Sequence, residues 1–410
     1  SAAAPRTEAE TSAAAPRTEA ETSAAAPRTV ANDPALRRLA EQIRAAQADG
    51  RPLEIVGGGS KRFYGELPQG EPLATRELAG VSSYEPTELV VTVRAGTPLA
   101  ELEALLAERG QCLPFEPPRF ELPQLQQHDA GAPDAAGNAV GTVGGMVAAG
   151  LAGPARASVG SVRDYVLGAS MLDGRGELLS FGGQVMKNVA GYDVSRLLAG
   201  SLGVLGLICE VSLKVLPVAP RTATLRFELG QQDALHQLNR WAGQPLPLSA
   251  SAWWDGMLVL RLAGADAAVQ AAQRQLGGEL IEPAMAEPFW RGLRDQTDEF
   301  FIGAQHAITR GNAALWRLSV PQTAPVLALS GEQLLEWGGA QRWLVSALPA
   351  DAVRDAANAV GGHATRFKAS QRTPGVFAPL SAPLARIHRE LKSAFDPARI
   401  LNRGRLYPDL

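Results

Sequence analysis

Three separated glycine-rich segments constrain the fold of this chain more than any other feature of its sequence. The first is "VGGGSK" at residues 56–61, directly after a short apolar run, and the others span 137–168 and 185–217. Glycine reaches the positive φ that lets successive backbone N–H groups converge, and such groups bind phosphate oxygens. A plain turn explains the first segment equally well when it is taken alone. Three segments in one chain suggest one long ligand that lies across several loops.

Two common phosphate motifs are missing from the sequence. Neither G-x-G-x-x-G nor G-x-x-x-x-G-K-[ST] occurs in the 410 residues. A Rossmann fold and a P-loop therefore lose their main support.

The composition narrows the class of protein. The 410 residues are 46% hydrophobic, which is enough for two or more packed cores. A formal net charge of −3 gives no basic surface for nucleic acid, so we expect small molecules and proteins as partners. No secretory signal is visible, and the weakly polar run 139–153 is too short and too rich in glycine to span a membrane. We predict no transmembrane helix.

Metal chemistry has little support in the sequence. Cys112 and Cys209 are far apart and form no C-x-x-C pair, so this chain alone can build neither a zinc site nor an iron–sulfur cluster. The compartment is expected to be reducing. The five histidines are His128, His236, His306, His363 and His388, and none has another at metal-ligand spacing. We therefore predict no metal site.

Repeats and composition shifts divide the chain. SAAAPRTEAET at 1–11 recurs at 12–22, and this stretch has no large apolar side chain, so residues 1–30 are predicted to be a disordered tail. A helix is predicted from Pro34, capped by Asp33 and closed by Gly50, followed by a strand at 53–56.

The rest of the first part alternates strands and helices. A strand at 88–94 precedes a helix capped by Thr97 and Pro98, a hairpin turns at Asp173-Gly174, and a buried strand covers 206–216. The break "PVAPR" at 217–221 predicts a domain boundary. The units beyond it predict a ferredoxin-like antiparallel sheet with helices on one face, ending near 375. A helix near 383–394 and the tail "FDPARILNRGRLYP" close the chain.

In order and spacing, the three glycine segments resemble the FAD-binding domain of the vanillyl-alcohol oxidase and p-cresol methylhydroxylase (PCMH) superfamily. The tail is similar to the closing motif of its D-2-hydroxyacid dehydrogenase branch. The tract "GGHATRF" at 361–367 is similar to the FAD-binding subunits of bacterial glycolate oxidase (glycolate dehydrogenase) complexes. The resemblance implies an α+β fold: a PCMH-type FAD-binding domain of two subdomains at 31–218, a smaller ferredoxin-like cap domain at 219–375, and a segment at 376–410 that returns to the first domain.

The resemblance also implies where FAD would be bound. The first loop would hold the pyrophosphate, through Gly57, Gly58, Gly59, Ser60 and Lys61. The second segment would pass close to the ribityl chain and the diphosphate, through Thr142, Gly144 and Gly145. Further along, Gly160 and Ser161 would lie beside the cofactor, Ile208 would meet the adenine, and Asn402 and Arg405 would return near the isoalloxazine. "NRGR" at 402–405 departs from the usual N-P-G, so the tail either reaches the flavin or contacts a partner instead.

Attachment of the cofactor is expected to be noncovalent. Members of the family with a histidyl link carry the histidine in the first loop, where this chain has Gly59-Ser60. Cys112 is expected to be a buried thiol. The tract "VMKNVAGYD" at 185–193 is either a capped helix start or a set of polar groups near the flavin edge, namely Lys187, Asn188, Tyr192 and Asp193. We also expect Gly58→Val to abolish flavin binding, because valine cannot adopt positive φ and would fill the diphosphate position.

The implied function is that of a subunit. Catalytic members of the branch carry a segment resembling H-x-G-D-G-N-x-H, and this sequence has none. The resemblance therefore implies an FAD-dependent oxidoreductase subunit of a cytoplasmic glycolate-oxidising complex. A larger flavoprotein of related fold would oxidise glycolate to glyoxylate, an iron–sulfur subunit would carry electrons onward, and any membrane contact would be made by the partners. No catalytic residue is assigned here. A self-sufficient FAD-dependent D-2-hydroxyacid dehydrogenase and a flavin-free assembly module remain as alternatives.

Overall fold

The structure, a computed structural model, describes residues 29–120, 140–183, 193–311, 313–372 and 375–410. The predicted disordered tail therefore lies almost entirely outside the described residues. The elements up to residue 217 are, in chain order, α1 (Pro34–Asp49), β1 (Leu53–Val56), β2 (Glu71–Ala74), β3 (Val81–Glu85), β4 (Val90–Arg94), α2 (Leu99–Ala107), β5 (Gln111–Cys112), α3 (Val143–Ala149), α4 (Arg156–Val159), α5 (Val162–Tyr165), β6 (Val166–Leu172), β7 (Leu178–Gly182), β8 (Leu207–Lys214) and β9 (Leu216–Pro217).

This first part is built on a five-stranded antiparallel sheet in the order β3-β4-β8-β6-β7. The central strand β8 is buried along most of its length, as its apolar sequence predicts. Leu102 of α2 and Val147 of α3 pack in the core beneath the sheet. β1 and β2 form a separate parallel pair, and Ile43 of α1 packs in a second core with Leu53 and Leu73.

Helix α1 begins and ends where the sequence predicts. The Asp33 carboxylate accepts hydrogen bonds from the backbone N–H groups of Ala35 and Leu36, Pro34 is the first helical residue, and Gly50 closes the helix at φ +67°. The predicted Thr97 cap of α2 is wrong. The Thr97 hydroxyl bonds instead to the backbone N–H and carbonyl of Gly80, at 2.9 and 3.2 Å, and so joins two loops.

The remaining elements are β10 (Arg221–Glu228), α6 (Gln231–Ala242), β11 (Leu248–Trp254), β12 (Met257–Gly264), α7 (Asp266–Leu276), β13 (Glu279–Ile281), α8 (Pro283–Asp295), α9 (Glu299–Thr309), β14 (Ala314–Ser319), β15 (Glu332–Glu336), β16 (Gln341–Ser346), α10 (Ala350–Ala359), β17 (His363–Lys368) and α11 (Ala382–Phe395). Two 3₁₀ turns lie at Ser195–Leu198 and Trp337–Gly339. None of the helices in the described part of the chain combines the length and the apolar character that a bilayer-spanning helix needs.

The strands of this second part form one eight-stranded antiparallel sheet, ordered β13-β10-β12-β11-β15-β16-β14-β17. Each half of the sheet has the strand order of a ferredoxin-like unit, and the two units join where β11 pairs with β15. α6, α7 and α10 cover one face, as predicted. α8 and α9, which the sequence did not predict, pack on the other face, so the sheet carries helices on both sides.

The two parts meet in an aromatic cluster beside the first glycine loop. Phe63, Tyr64 and Phe120 come from the first part, and Phe367 and Trp343 come from the sheet of the second. The ring centroids of Phe63 and Phe367 are 5.6 Å apart. The cluster fixes the second part against the loop that follows β1. The boundary near 217–221 falls between β9 and β10, and the division into domains at 218 and 375 stays a prediction.

Candidate functional site

An open cleft with a cavity volume of about 120 Å³ lies at the carboxyl end of β1. It brings together the following residues singled out from the sequence: Gly57, Gly58, Gly59, Ser60, Lys61, Thr142, Gly144, Gly145, Ile208, Asn402 and Arg405. These residues come from four distant stretches of the chain. The cleft is therefore assembled only by the complete fold.

The first glycine loop packs tightly against the second segment. A Cβ at Gly58 would lie 1.5 Å from the carbonyl oxygen of Val140, and a Cβ at Gly57 would lie 2.5 Å from Thr142 Oγ1. Gly59 has φ +80°, whereas Gly58 is not in the left-handed region. The prediction that glycine is needed at position 58 for a positive φ is therefore wrong. Glycine is needed there because Val140 lies too close for a Cβ.

Two glycines of the first loop line the cleft and have backbone amides without an acceptor in the described part of the chain. Arg76 donates to the carbonyl oxygens of Gly57 and Gly58 at 3.3 and 3.4 Å, which fixes the orientation of both peptide groups. In the described part of the chain, the backbone N–H groups of these two glycines have no acceptor. The loop therefore offers two donors that an anionic ligand can satisfy.

The second segment contributes surface to the cleft, but the amides of Val143, Gly144 and Gly145 are engaged within the protein. The N–H of Val143 donates to Thr97 O at 3.0 Å, and the N–H of Gly144 donates to Ala95 O at 2.7 Å. The Gly145 N–H donates to Thr142 Oγ1 at 3.2 Å. The expectation that separate bends all point uncovered amides at one diphosphate therefore fails here. A Cβ at Gly144 would lie 2.7 Å from that of Ala95, so this glycine serves close packing.

Asn402 joins the third segment to β1. Its side chain accepts a hydrogen bond from the Ile55 N–H at 2.6 Å and donates to Leu202 O at 2.6 Å. Gly203, at φ +75°, lies against it, since a Cβ there would be 2.6 Å from Asn402 Nδ2. Asn402 lines the cleft, but its side-chain oxygen and nitrogen are already hydrogen-bonded within the protein. Its role is therefore to shape the wall of the cleft.

The charged groups of the cleft are also used within the protein. The buried Arg405 guanidinium donates to the carbonyl oxygens of Lys61, Arg62 and Glu66, which fold the chain back after the glycine loop. Burial lowers the pKa of Arg405 to about 10, and the nearby Arg372 acts in the same direction. Arg62 forms a two-pronged ion pair with Glu54, at 2.8 and 2.7 Å.

Several residues singled out from the sequence do not line the cleft. Gly160 and Ser161 form the turn between α4 and α5, where Ser161 N–H and Oγ both bond the Asp164 carboxylate. Asp193 accepts from Ser195 Oγ at 2.8 Å. Lys187, Asn188, Tyr192 and His128 lie outside the described residues. The described part of the chain holds no cluster of three or more histidine, cysteine, aspartate or glutamate side chains suited to a metal ion.

A smaller cavity of about 20 Å³ lies between the two parts of the molecule. Glu336 lines it and accepts hydrogen bonds from Trp343 Nε1 at 2.6 Å and Gln341 Nε2 at 2.9 Å. Burial raises the pKa of Glu336 to about 7, although both hydrogen bonds oppose the shift. Gln296 Oε1 is buried here with no hydrogen-bond partner in the described part of the chain.

The sequence did not reveal the residues that orient the loops. Arg76 follows β2 with no recognisable pattern, and its role depends on the placement of β1 beside it. The buried pair Lys392 and Asp396 has a weak signal, since the two are spaced i, i+4 at the end of a predicted helix. Such a spacing is usual on exposed helices and does not indicate burial.

Comparison with known proteins agrees with this geometry. Residues 36–122 match the family described as an FAD binding domain. A solved structure of alkyldihydroxyacetonephosphate synthase shares the fold with a TM-score of 0.59 and 14% identity, over 89% of this chain and 74% of that one. The predicted α+β fold with an FAD-binding domain is thereby confirmed.

Two curated relatives are more similar in sequence. The chain is 36% identical to the glycolate oxidase subunit GlcD of Bacillus subtilis (strain 168) over 188 residues, which are 45% of this chain and 36% of that protein. It is 45% identical to the glycolate oxidase subunit GlcE of Escherichia coli (strain K12) over 372 residues, which are 91% of this chain and 97% of that protein. Because this match covers nearly the whole of both proteins, the chain belongs to the family of the glycolate oxidase subunit GlcE.

Proposed function

We propose that this chain is the noncovalent FAD-binding subunit of a multi-subunit enzyme that oxidises glycolate to glyoxylate. The observation that carries the proposal is the cleft at the end of β1, in a chain that matches a glycolate oxidase subunit along its length. Its open amides at Gly57 and Gly58 suit an anionic group.

The residues present fit FAD. The glycines at 57 and 58 let the first loop pack directly against the second segment, since a Cβ at either position would overlap Val140 or Thr142. The diphosphate would be held by the two amides with Lys61 close by, and Ile208 would lie along the far wall with Asn402. FAD, when bound, supplies the capacity to accept and pass on two electrons. The chain's own residues bind the cofactor and shape the space around it.

Noncovalent binding agrees with the chemistry of the cleft walls. Gly59 and Ser60 occupy the loop position at which histidyl-linked relatives carry their histidine. Cys112 lies on β5 and is not among the residues that line the cleft, and burial raises the pKa of its thiol.

The partners are inferred from the relatives. GlcE and GlcD are both named as glycolate oxidase subunits, and this chain is similar to each. We therefore include a larger GlcD-like flavoprotein as the site of substrate oxidation and an iron–sulfur subunit as the electron carrier. The proposal also includes a cytoplasmic location, with any membrane contact made by the partners.

The test compares the purified chain with the assembled complex. Acid precipitation of the chain alone should release about one FAD per chain into the supernatant, since no covalent bond retains it. Anaerobic glycolate should leave the visible flavin band of the isolated chain unchanged and bleach flavin once the GlcD-like and iron–sulfur chains are present.

Three results would contradict parts of the proposal. Flavin that stays with the precipitate would exclude noncovalent binding. Bleaching of the isolated chain by glycolate or D-lactate would indicate a self-sufficient dehydrogenase. A chain purified without flavin that does not take up added FAD would indicate an assembly module.

A further inference from the structure

Helix α11 is unusual in what it buries. Of its 14 residues, Lys392 is the one buried side chain, with no exposed surface. A helix normally buries apolar residues, because removing an ammonium group from water costs several kcal/mol unless it is fully paired. The position of Lys392 therefore calls for a specific set of partners.

The Lys392 ammonium has three hydrogens and three acceptors. It donates to Asp396 Oδ2 at 2.8 Å, to Val204 O at 2.7 Å and to Leu401 O at 2.7 Å. Asp396 in turn accepts from the backbone N–H groups of Ile400 and Leu401, at 3.2 and 2.8 Å. The ion pair is satisfied on both sides, so it fixes the positions of the backbone groups around it.

The two carbonyl groups belong to the two segments that form one wall of the cleft. Val204 lies between Gly203 and Gly206, both of which line the cleft, and Leu401 directly precedes Asn402. Asn402 then bonds to Ile55 of β1 and to Leu202. A shift of either segment would separate Asn402 from one of these partners. The ammonium thus holds the wall together from behind, since Lys392 itself does not line the cleft.

We propose that Lys392 is a positioning residue for the cofactor cleft, acting through the backbone carbonyl groups of Val204 and Leu401. The inference rests on the proposed function, because it takes FAD as the occupant of the cleft. The role predicts that FAD binding depends on the three-way contact itself and not only on the stability that the ion pair adds.

The test separates these two contributions with a pair of variants. Lys392→Met leaves the Asp396 carboxylate buried without its partner and should destabilise the protein as well as weaken FAD binding. Lys392→Met with Asp396→Asn removes both charges and keeps one oxygen, which can accept from the N–H of Leu401 or of Ile400. Asparagine has one acceptor oxygen where the carboxylate uses two, so the double variant should regain part of the lost stability in urea unfolding of the apoprotein. Its FAD affinity should remain about tenfold or more below wild type, with faster FAD release and altered circular dichroism of the bound flavin.

Arg389→Met is the matched control, because Arg389 lies on the same helix and pairs only with the exposed Asp409. It should bind FAD as the wild type does. A double variant with the FAD affinity and FAD release rate of the wild type would overturn the inference. A wild-type protein that binds no FAD would contradict the proposed function instead. If the double variant does not fold, amide hydrogen exchange of the wild-type protein with and without FAD provides the test. FAD must slow exchange at Val204 and Leu401, and unchanged exchange there would also overturn the inference.

Discussion

The cleft at β1 and the cavity between the two parts of the molecule differ in what lines them, since backbone groups form the first and side chains form the second. The cleft owes its shape to backbone groups and absent side chains, and its Arg405 is engaged by carbonyl oxygens. The cavity between the two parts is lined by side chains, among them Glu336, whose carboxyl has a pKa raised by burial to about 7. Ligand affinity of the cleft should therefore fall when a side-chain atom is added at one of its glycines. The stability of the protein should depend on pH through the carboxyl group in the cavity.

The largest effect is expected from Gly58→Ala in the cleft. The new methyl group would overlap the carbonyl oxygen of Val140, so the loop must move and the amides of Gly57 and Gly58 lose their orientation. FAD affinity should fall by about a hundredfold or more, which corresponds to roughly 3 kcal/mol. Flavin content after purification and FAD titration of the apoprotein measure it.

Gly230→Ala provides the matched control for this substitution. It adds the same methyl group at a position with no heavy atom within 4 Å and an ordinary φ of −62°. Its flavin content should equal that of the wild type. Retention of full flavin by Gly58→Ala would show that the cleft tolerates added atoms.

A smaller effect is expected from Glu336→Gln in the cavity between the two parts. A carboxyl whose pKa is higher in the folded state gives stability that is complete below its unfolded pKa and is lost as pH rises through the folded value. The wild type should therefore lose stability relative to Glu336→Gln between pH 4.5 and about 7, by on the order of 1–3 kcal/mol.

Urea unfolding of both proteins at several pH values measures this difference. The contribution of Asp298, whose pKa is raised to about 6 by burial, largely cancels because both proteins contain it. FAD content should stay the same, since Glu336 does not line the cleft. Stability curves that run parallel across this range would contradict the assignment.

The smallest effect is expected from Arg76→Met. This change removes the donors to the carbonyl oxygens of Gly57 and Gly58 and adds nothing to the cleft. FAD affinity should fall about two- to tenfold, as for the loss of one or two partly exposed hydrogen bonds. Arg51→Met is the control, because Arg51 pairs with the exposed carboxylates of Asp49 and Glu71. Equal FAD affinities for the two variants would show that Arg76 does not orient the loop.

Local rules predicted much of the fold. Asp33, Pro34 and Gly50 mark the limits of α1 because capping depends on neighbouring residues. The same rules failed for α8, where Pro283 and Pro288 indicate a break. Pro283 occupies the first helical position, and the buried face of α8, which includes Trp290, compensates for the hydrogen bond that Pro288 cannot make.

The sequence indicated residues that line the candidate site, but it did not indicate what each of them does there. The glycines at 57, 58 and 144 were all expected to approach a phosphate, yet the Gly144 N–H is bonded to Ala95. Which amides remain uncovered depends on long-range pairing that no local pattern contains. The same holds for Lys392, because its burial follows from two carbonyl groups brought together by the complete fold.

The bond between Ile55 and Asn402 joins residues 347 positions apart, and Leu401 extends the backbone pairing of β1 at Leu53. On the ribosome, β1 and its loop are translated well before the residue that joins them to the opposite side of the cleft. The cleft described here is complete only after residue 402 has been translated.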